Sequence, residues 1–363
     1  MGRSLLVNFV YCHPVGHAIE AVQRCYGHHL ADPDLRIGLV LNAATPVELA
    51  ELCPFVSEVH AVPVDVFDGG ADFTAALAGI GRDWDLVVED ERASQPWQRE
   101  LFPGLARYFD QARAHFRSGG VRVGYRPGHL RLPIPPAPRG PGARIAVLPG
   151  GSAPRSQYPS TRSWRMVLGA LADRFPGAEF LFVGKLRADG RTASTYDAAE
   201  FAELAAAAPR SVSAVDRPLV EQLAEVAAAD VLVSPHSGFA MAALAVGTPW
   251  LTISGNRWPE YYFPGVPFYS VLPDVTRYPS LHLFALDPEP VDDDGPRSPS
   301  MSRVRLTEDL AEIVEGAAKL VERRWDYDTA MRDHFRRMTA LPSDVATHLW
   351  SVDDVHRAYL PEP

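Results

Sequence analysis

The 363-residue sequence is poor in lysine: Lys185 and Lys319 are the two lysines among 35 basic residues. Arginine supplies nearly all of the positive charge, a bias typical of proteins from GC-rich genomes. Asp and Glu number 45, so the formal net charge is −10. This balance excludes a broad basic face for nucleic acid or for an anionic membrane surface. It leaves room for a local pocket that binds a small anion.

Cysteine is also scarce. Cys12, Cys25 and Cys53 are an odd number without CxxC spacing, which excludes a disulfide framework or a structural zinc site. No apolar run reaches the length of about 18 residues that a transmembrane helix needs. We therefore expect a cytoplasmic protein. The sequence also lacks GxxxxGK[ST], and GxGxxG does not follow its first strand, which argues against a P-loop NTPase and a dinucleotide oxidoreductase.

Short apolar runs alternate with helical patterns in both halves of the chain, which predicts α/β domains with parallel sheets covered on both faces. Strands are predicted at 4–11, 35–42, 59–64, 84–89, 121–125, 144–148, 179–184, 211–215, 230–234 and 250–254. Helices are predicted at 16–30, 46–52, 72–80, 98–117, 163–175, 194–208, 219–229, 238–246 and 307–323.

The segment RLPIPPAPRGPG, with five prolines, separates the two halves. Proline at this density ends both sheet and helix, so it predicts a linker over 131–143 between domains at 1–130 and 144–325. Helices over 326–363 are expected to pack back on the first domain. Ligands of open α/β sheets sit outside the carboxyl ends of the strands. We therefore expect two doubly wound, Rossmann-like domains that face each other across a cleft and share one site.

The loop after the first strand is rich in titratable groups. His17 lies where a helix begins, and the helix dipole there favours the neutral, basic imidazole that suits a general base. A capping or core histidine would fit the same position. Glu20 is the second candidate catalytic residue. His13, together with Glu89 and Asp90 after the fourth strand, is a candidate for hydrogen bonding to a substrate, although a charged loop is commonly only solvated.

Three loops of the second half are candidate phosphate-binding elements, because backbone N–H groups in glycine-rich turns and at helix starts bind anions. An ordinary turn, a helix cap or a solvated lysine would explain the same residues. An aromatic loop over 256–268 would either stack on a base or pack as core. The candidate donor-side residues are Gly151, Ser152, Arg155, Lys185, His236, Ser237, Gly238 and Met241.

These segments resemble a known family. SPHSGFAMAALAVGTPWLTISG (234–255) is similar to the DSGxxHLAAALGTPxxxLFG signature of glycosyltransferase family nine, the ADP-heptose:lipopolysaccharide heptosyltransferase group. PGGSAPRSQYPSTRSW (149–164) resembles that family's HPGAS…KxWPxxxW loop, with Arg155 nearest to the family lysine. The residues from Cys53 to Val59 resemble its NPxVDEV element, and Met301 to Val304 also match its pattern.

The resemblance implies a GT-B fold, with a nucleotide sugar held mainly by the second domain and the acceptor mainly by the first. It also implies that no metal or cofactor is needed beyond the nucleotide-sugar co-substrate, since N–H groups and basic side chains stabilise the leaving diphosphate. Two departures stand out. His17 replaces the aspartate of the family's LGD motif, and His236 replaces the aspartate before Ser-Gly, which puts a heptose donor in question.

We therefore expect an inverting, metal-independent hexosyl- or heptosyltransferase. Its acceptor would be a small molecule or a glycan, of a natural product or of the cell envelope. A nucleotide-sugar epimerase or hydrolase on the same fold is the alternative enzyme. A non-catalytic nucleotide-sugar-binding protein is the third interpretation, and it would need no titratable group at position 17. No nucleic-acid partner is expected, and the sequence leaves the oligomeric state open.

Overall fold

The computed structural model describes residues 2–11, 15–188, 190–255, 265–280, 290–291 and 295–340. The chain divides into two compact units, Met1–Pro133 and Ile134–Pro363. Each unit is built on its own parallel β-sheet with helices connecting the strands. Within the described ranges, no helix combines the length and the apolar character needed to cross a membrane.

The first unit contains a four-stranded parallel sheet in the order β3-β2-β1-β5. Its elements are β1 (Ser4–Asn8), α1 (Val15–Ala31), β2 (Arg36–Asn42), α2 (Glu48–Glu51), β3 (Glu58–Val62), α3 (Thr74–Ala78), β4 (Asp83–Trp84), β5 (Leu86–Glu89), α4 (Pro96–Leu101), α5 (Pro103–His115) and β6 (Arg117–Ser118). The strand β1 is buried along its whole length and pairs on one side with β2 and on the other with β5. The strand order reverses direction between β1 and β5, so the loops that follow these two strands begin side by side.

The second unit contains a six-stranded parallel sheet in the order β12-β11-β10-β7-β8-β9. Its elements are β7 (Arg144–Val147), α6 (Thr161–Arg174), β8 (Glu179–Phe182), α7 (Ala198–Ala207), β9 (Ser211–Ser213), α8 (Leu219–Ala227), β10 (Val231–Pro235), α9 (Gly238–Ala245), β11 (Trp250–Ile253), β12 (Phe268–Val271), α10 (Arg303–Glu308), α11 (Leu310–Val321) and α12 (Tyr327–Thr339). Counted from β7, this is the dinucleotide-fold order 3-2-1-4-5-6, whose ligand crevice lies between the first and fourth strands. Those strands are β7 and β10.

Predicted and observed elements differ in several places. The predicted strand at 121–125 is wrong, because this segment packs along α1 instead of joining the sheet. Arg126 donates its backbone N–H to the Gly27 carbonyl at 2.9 Å, and a Cβ on Gly27 would lie 2.3 Å from the Tyr125 ring. The predicted helix at 98–117 is two helices that meet at Phe102. The strand β12 was not predicted.

The last described helix belongs to the second unit. On α12, Met331 and Phe335 are buried in the same apolar cluster as Trp250 and Phe268 of the second sheet. Helices over 326–363 were expected to pack back on the first domain, whereas Tyr327–Thr339 packs on the sheet of the second unit. Residues 341–363 lie outside the described residues.

Candidate functional site

The candidate base, His17, lies in the first turn of α1, at the carboxyl end of β1. Its ring contacts the Tyr11 ring edge-on, with the ring centroids 4.5 Å apart. The Tyr11 hydroxyl donates to Gln98 Oε1 on α4 at 2.7 Å, which holds the tyrosine in place. The loops after β1 and β5 therefore surround His17, as the strand order of the first sheet requires.

His17, Glu20 and Arg92 form one polar network with Asp90. Glu20 follows His17 by three residues, so both side chains lie on one face of α1, and His17 Nδ1 is 2.8 Å from Glu20 Oε2. Arg92 donates through Nη2 to Glu20 Oε2 at 2.8 Å, and its Nη1 lies 3.3 Å from His17 Nδ1. The same guanidinium donates to both oxygens of Asp90, through Nε at 2.9 Å and Nη2 at 2.8 Å. Two side chains of α1 and two from the segment after β5 thus hold one another.

The network keeps a buried carboxylate charged. Glu20 is 1% exposed, and burial alone would raise its pKa. The positive charge of Arg92 and the contact with His17 outweigh burial and lower the pKa of Glu20 to about 2. Burial would lower the pKa of Arg92, but Glu20 and Asp90 raise it well above its usual value. The carboxylate is therefore ionised at neutral pH.

The ionised carboxylate sets the orientation of His17. A carboxylate can only accept hydrogen bonds, so the His17 Nδ1 atom beside it carries the proton and donates it to Glu20. In the neutral ring the lone pair then lies on Nε2, the opposite nitrogen. This is the tautomer that a general base at Nε2 requires.

The remaining candidate residues of the first unit occupy different places. Asp90 is buried, caps the short 3₁₀ turn Glu91–Ser94 and pairs with Arg92, so its carboxylate is part of the network around His17. Glu89 ends β5 and accepts from Arg113 Nε at 2.8 Å. His13 lies outside the described residues.

The loop after β7 in the second unit packs closely against aromatic rings. A Cβ on Gly150 would lie 2.8 Å from the rings of Tyr158 and Tyr196, so glycine is required there. The Ala153 N–H donates to the Tyr158 hydroxyl at 3.0 Å, and the Thr195 N–H donates to the Gly151 carbonyl at 3.0 Å. These contacts hold the backbone of residues 150–153 beside the end of β7, where Ser152 is exposed.

The two basic candidates of this unit differ in their surroundings. Arg155 stacks on the Tyr196 ring at 3.7 Å and donates through Nη2 to Glu200 at 3.0 Å and through Nη1 to the Pro159 carbonyl at 2.7 Å. Its guanidinium therefore joins the loop to α7. Lys185 follows β8 and is partly exposed, and its carbonyl accepts from the Ser194 N–H at 2.6 Å.

The start of α9 brings the remaining candidates to the end of β10. Ser237 caps this helix, because its Oγ accepts from the Ala240 N–H at 3.2 Å. Gly238 and the next residue lie in the first turn of α9. Backbone N–H groups in the first turn of a helix have no acceptor within that helix. His236 lies beside Trp250, with ring centroids 6.2 Å apart. Met241 lies in the middle of α9, and its side chain is buried in the protein.

Comparison with known proteins gives two results. No protein-family model and no curated protein sequence matches the chain. Among solved structures it is similar to a glycosyl transferase family 9 protein from Veillonella parvula, with a TM-score of 0.53 and 12% identity over 88% of this chain and 98% of that chain. It is also similar to E. coli heptosyltransferase WaaC with ADP-2-deoxy-2-fluoro heptose, with a TM-score of 0.54 and 12% identity over 85% of this chain and 99% of that chain.

At this level of identity the likeness establishes the fold, which is the GT-B fold of family-nine glycosyltransferase structures. The predicted fold class and the predicted resemblance to that family are confirmed. Sequence reasoning missed Arg92, although the charged run after the fourth strand (EDER, 89–92) was a signal for a buried ion-pair network.

Proposed function

We propose that this protein is an inverting glycosyltransferase that moves a sugar from a nucleotide-diphosphate donor to an acceptor hydroxyl. The observation that carries the proposal is the hydrogen bond between His17 Nδ1 and the buried, ionised Glu20 at the end of β1. This pair has the arrangement of a general base and its orienting carboxylate. Glu20 is held in turn by Arg92, whose guanidinium also pairs with Asp90.

In the proposed reaction, Nε2 of His17 removes the proton from the acceptor hydroxyl. The acceptor oxygen forms a bond to the anomeric carbon of the donor, and the bond from that carbon to the diphosphate oxygen breaks. The leaving nucleoside diphosphate keeps the electron pair, and the configuration at the anomeric carbon inverts because one displacement occurs. Glu20 stabilises the imidazolium that forms.

The second unit is the proposed donor site. Its sheet has the order that creates a ligand crevice between β7 and β10, and both glycine-containing loops begin there. The backbone of residues 150–153 and the start of α9 would bind the diphosphate through N–H groups. Lys185 would add positive charge from the end of β8. We propose that this set stabilises the leaving group without a metal ion.

The proposal names the chemical class of the donor sugar and of the acceptor. The fold is that of a family that includes heptosyltransferases, and His236 stands where the family motif has an aspartate. We therefore propose a hexosyl or heptosyl donor. The acceptor would be a hydroxyl of a natural product or of a cell-envelope glycan.

The first experiment identifies the donor nucleotide and tests the proposed donor site of the second unit. Thermal-shift screening of nucleoside diphosphates, followed by calorimetric titration of those that raise Tm, should find one that binds. No binding at millimolar concentration would refute the proposal. Product analysis of the sugar nucleotide with and without acceptor then separates a transferase from an epimerase or a hydrolase.

A second experiment tests the base. His17→Ala should lower kcat by about 10²- to 10⁴-fold, the usual range for a positioned general base, while the donor affinity stays the same. His29→Ala is the matched control, because His29 lies on the same helix and stacks on Phe55 away from the network. Full activity of the His17 variant would exclude His17 as the base.

A further inference from the structure

A cavity lies on the surface of the second unit, where α6 packs against α7 and α10. Its volume is about 560 Å³, which is within the range of about 300–1,000 Å³ for pockets that hold small molecules. We refer to this space as the arginine cavity. The residues that line it are Arg162, Arg165 and Met166 of α6, Ala207 of α7 and Arg303 of α10.

The helix α6 turns two of the arginines away from the protein core. Trp164 is buried, and its Nε1 donates to the Pro149 carbonyl at 3.0 Å, so this side of α6 faces the sheet. With 3.6 residues per turn, Arg162 lies roughly 160° from Trp164 around the helix, and Arg165 lies roughly 60° from Arg162. Both arginines are exposed. They therefore share the outer face of α6.

The helix α10 adds the third arginine. Arg303 is the first residue of this helix and is partly exposed. One turn further along, the Thr307 hydroxyl donates to the Arg303 carbonyl at 2.8 Å and lies 3.4 Å from Met166 Sδ on α6. This contact fixes the first turn of α10 beside α6, and three guanidinium groups from two helices therefore line one cavity.

The carboxylates around the arginine cavity do not cancel its positive charge. Glu203 lies 3.2 Å from Arg165 Nη1, but the two side chains are 44% and 57% exposed, and an ion pair as exposed as this is weak. On α10, Glu308 pairs with Arg277 at 2.8 Å. The described residues that line the cavity include no carboxylate. The chain has a net charge of −10, so this is a local concentration of positive charge on an acidic protein.

The arginine cavity is separate from the proposed donor site. That site lies at the carboxyl ends of β7 and β10, and the described lining of the cavity includes no residue of 150–153, 185 or 236–238. The side of α6 that carries Trp164 faces the loop after β7, whereas the arginines lie on the other side of the helix. An inference about this cavity therefore does not depend on the proposed function.

We propose that the arginine cavity binds a phosphate-bearing ligand with two or more negative charges. A guanidinium group is planar and bonds two phosphate oxygens at once, and arginines on two helices reach a ligand from different sides. A phosphate among three like charges also offsets their mutual repulsion. The same phosphate chemistry is present in free phosphorylated molecules and in lipid headgroups, and the experiment below distinguishes these two sources.

The test follows methionine methyl groups by NMR in the full chain. The protein is labelled with [methyl-¹³C]methionine, and two signals are assigned by their loss in Met166→Leu and in Met241→Leu. Met166 lines the arginine cavity, whereas Met241 lies on α9 beside the proposed donor site. Sodium pyrophosphate is the free probe. Vesicles of phosphatidylcholine and phosphatidic acid in equal parts are the lipid probe, with pure phosphatidylcholine vesicles as their control.

We expect pyrophosphate to shift the Met166 signal in a saturable way. Arg162→Gln and Arg303→Gln should each weaken this binding by about 3- to 10-fold, as expected for loss of one charged contact at a partly exposed site. Arg336→Gln is the matched control and should bind like the wild type, since Arg336 is a 71% exposed arginine of α12 in the same unit. Added salt should weaken the binding, because it screens exposed charges.

The vesicles identify the source of the phosphate. Co-sedimentation with the phosphatidic acid vesicles that is lost in Arg162→Gln and Arg303→Gln would assign the site to a lipid headgroup. Pyrophosphate binding without co-sedimentation would assign it to a free phosphorylated molecule. Either result supports a phosphate site in the arginine cavity.

The proposal is overturned if millimolar pyrophosphate leaves the Met166 signal unchanged, or if both cavity variants bind pyrophosphate like the wild type. A shift of the Met241 signal without a shift of the Met166 signal would place the pyrophosphate at the donor site and would also overturn it. The proposed function fails separately, through absent nucleoside-diphosphate binding or through full activity of His17→Ala.

Discussion

Replacing Glu20 by glutamine tests the charged network most directly. The carboxyl group has a pKa of about 2 in the folded protein and 4.5 as its ordinary value. That difference corresponds to about 3 kcal/mol of folding free energy at neutral pH, at 1.36 kcal/mol per pKa unit. Because the side chain is 1% exposed, solvent screening does not reduce this value much. Glu20→Gln should therefore lower the free energy of unfolding of the first unit by about 3 kcal/mol.

The pH dependence of this loss has a definite sign. A carboxyl group whose pKa is lowered on folding stabilises the protein fully above its unfolded pKa, and this stabilisation disappears as the pH falls through its folded pKa. The difference between the wild type and Glu20→Gln should therefore be largest above pH 4.5. It should shrink to about 1 kcal/mol at pH 3 and nearly vanish below pH 2.

Urea unfolding followed by far-UV circular dichroism at pH 7 and pH 3 measures this difference. Glu51→Gln is the control, since Glu51 is an exposed carboxylate of the same unit. It reports the general effect of removing one negative charge and should change stability by less than about 0.5 kcal/mol. An equal stability loss for Glu20→Gln at both pH values would show that Glu20 is not held ionised by Arg92 and His17.

Two predictions concern the second unit. Ser237→Ala removes the side-chain acceptor of the Ala240 N–H, so it should lower stability by about 1 kcal/mol in thermal unfolding. The same variant should weaken nucleoside-diphosphate binding in calorimetry. An unchanged affinity would argue against a donor site at α9. Gly150→Ala places a Cβ 2.8 Å from the Tyr158 and Tyr196 rings and should lower the free energy of unfolding by about 1–3 kcal/mol. Its control is Gly169→Ala on α6, whose Cβ meets no atom within 4 Å and should not destabilise the protein. Equal Tm values for the two variants would contradict the packing described for the loop after β7.

The central strands β7 and β10 follow from local sequence, whereas the edge strand β12 and the course of the segment 121–125 do not. The residues of β7 and β10 are short apolar runs that end in Pro-Gly or Pro-His, and both were predicted nearly to the residue. The segment 121–125 has an equally good strand pattern, VRVGY, but it lies along α1 because Gly27 admits the Tyr125 ring. The edge strand β12 follows a proline and aromatic residues that predict a loop. In each case a contact with residues distant in sequence decides whether the segment joins the sheet.

The candidate site likewise combines a contact that is local in sequence with one that is distant in sequence. His17 and Glu20 are three residues apart on one helix, so their spacing alone predicts that they share a face. Arg92 meets Glu20 across 72 residues, and this contact requires β1 and β5 to be neighbours, which the strand order of the sheet determines. The sequence therefore predicted that the two candidate catalytic residues lie together on α1, but not the cation that keeps Glu20 charged.

The contacts of Arg155 bear on which groups would bind the donor phosphates in the proposed site. Its place after a glycine-rich turn suggested a phosphate ligand, but its guanidinium is occupied by Glu200, the Pro159 carbonyl and the Tyr196 ring. Moving it to a phosphate would break an ion pair and a stacking contact that join the loop to α7. The backbone N–H groups after β7 and at the start of α9 can bind a diphosphate without such a loss. We therefore expect them, rather than Arg155, to provide most of the donor affinity of the second unit.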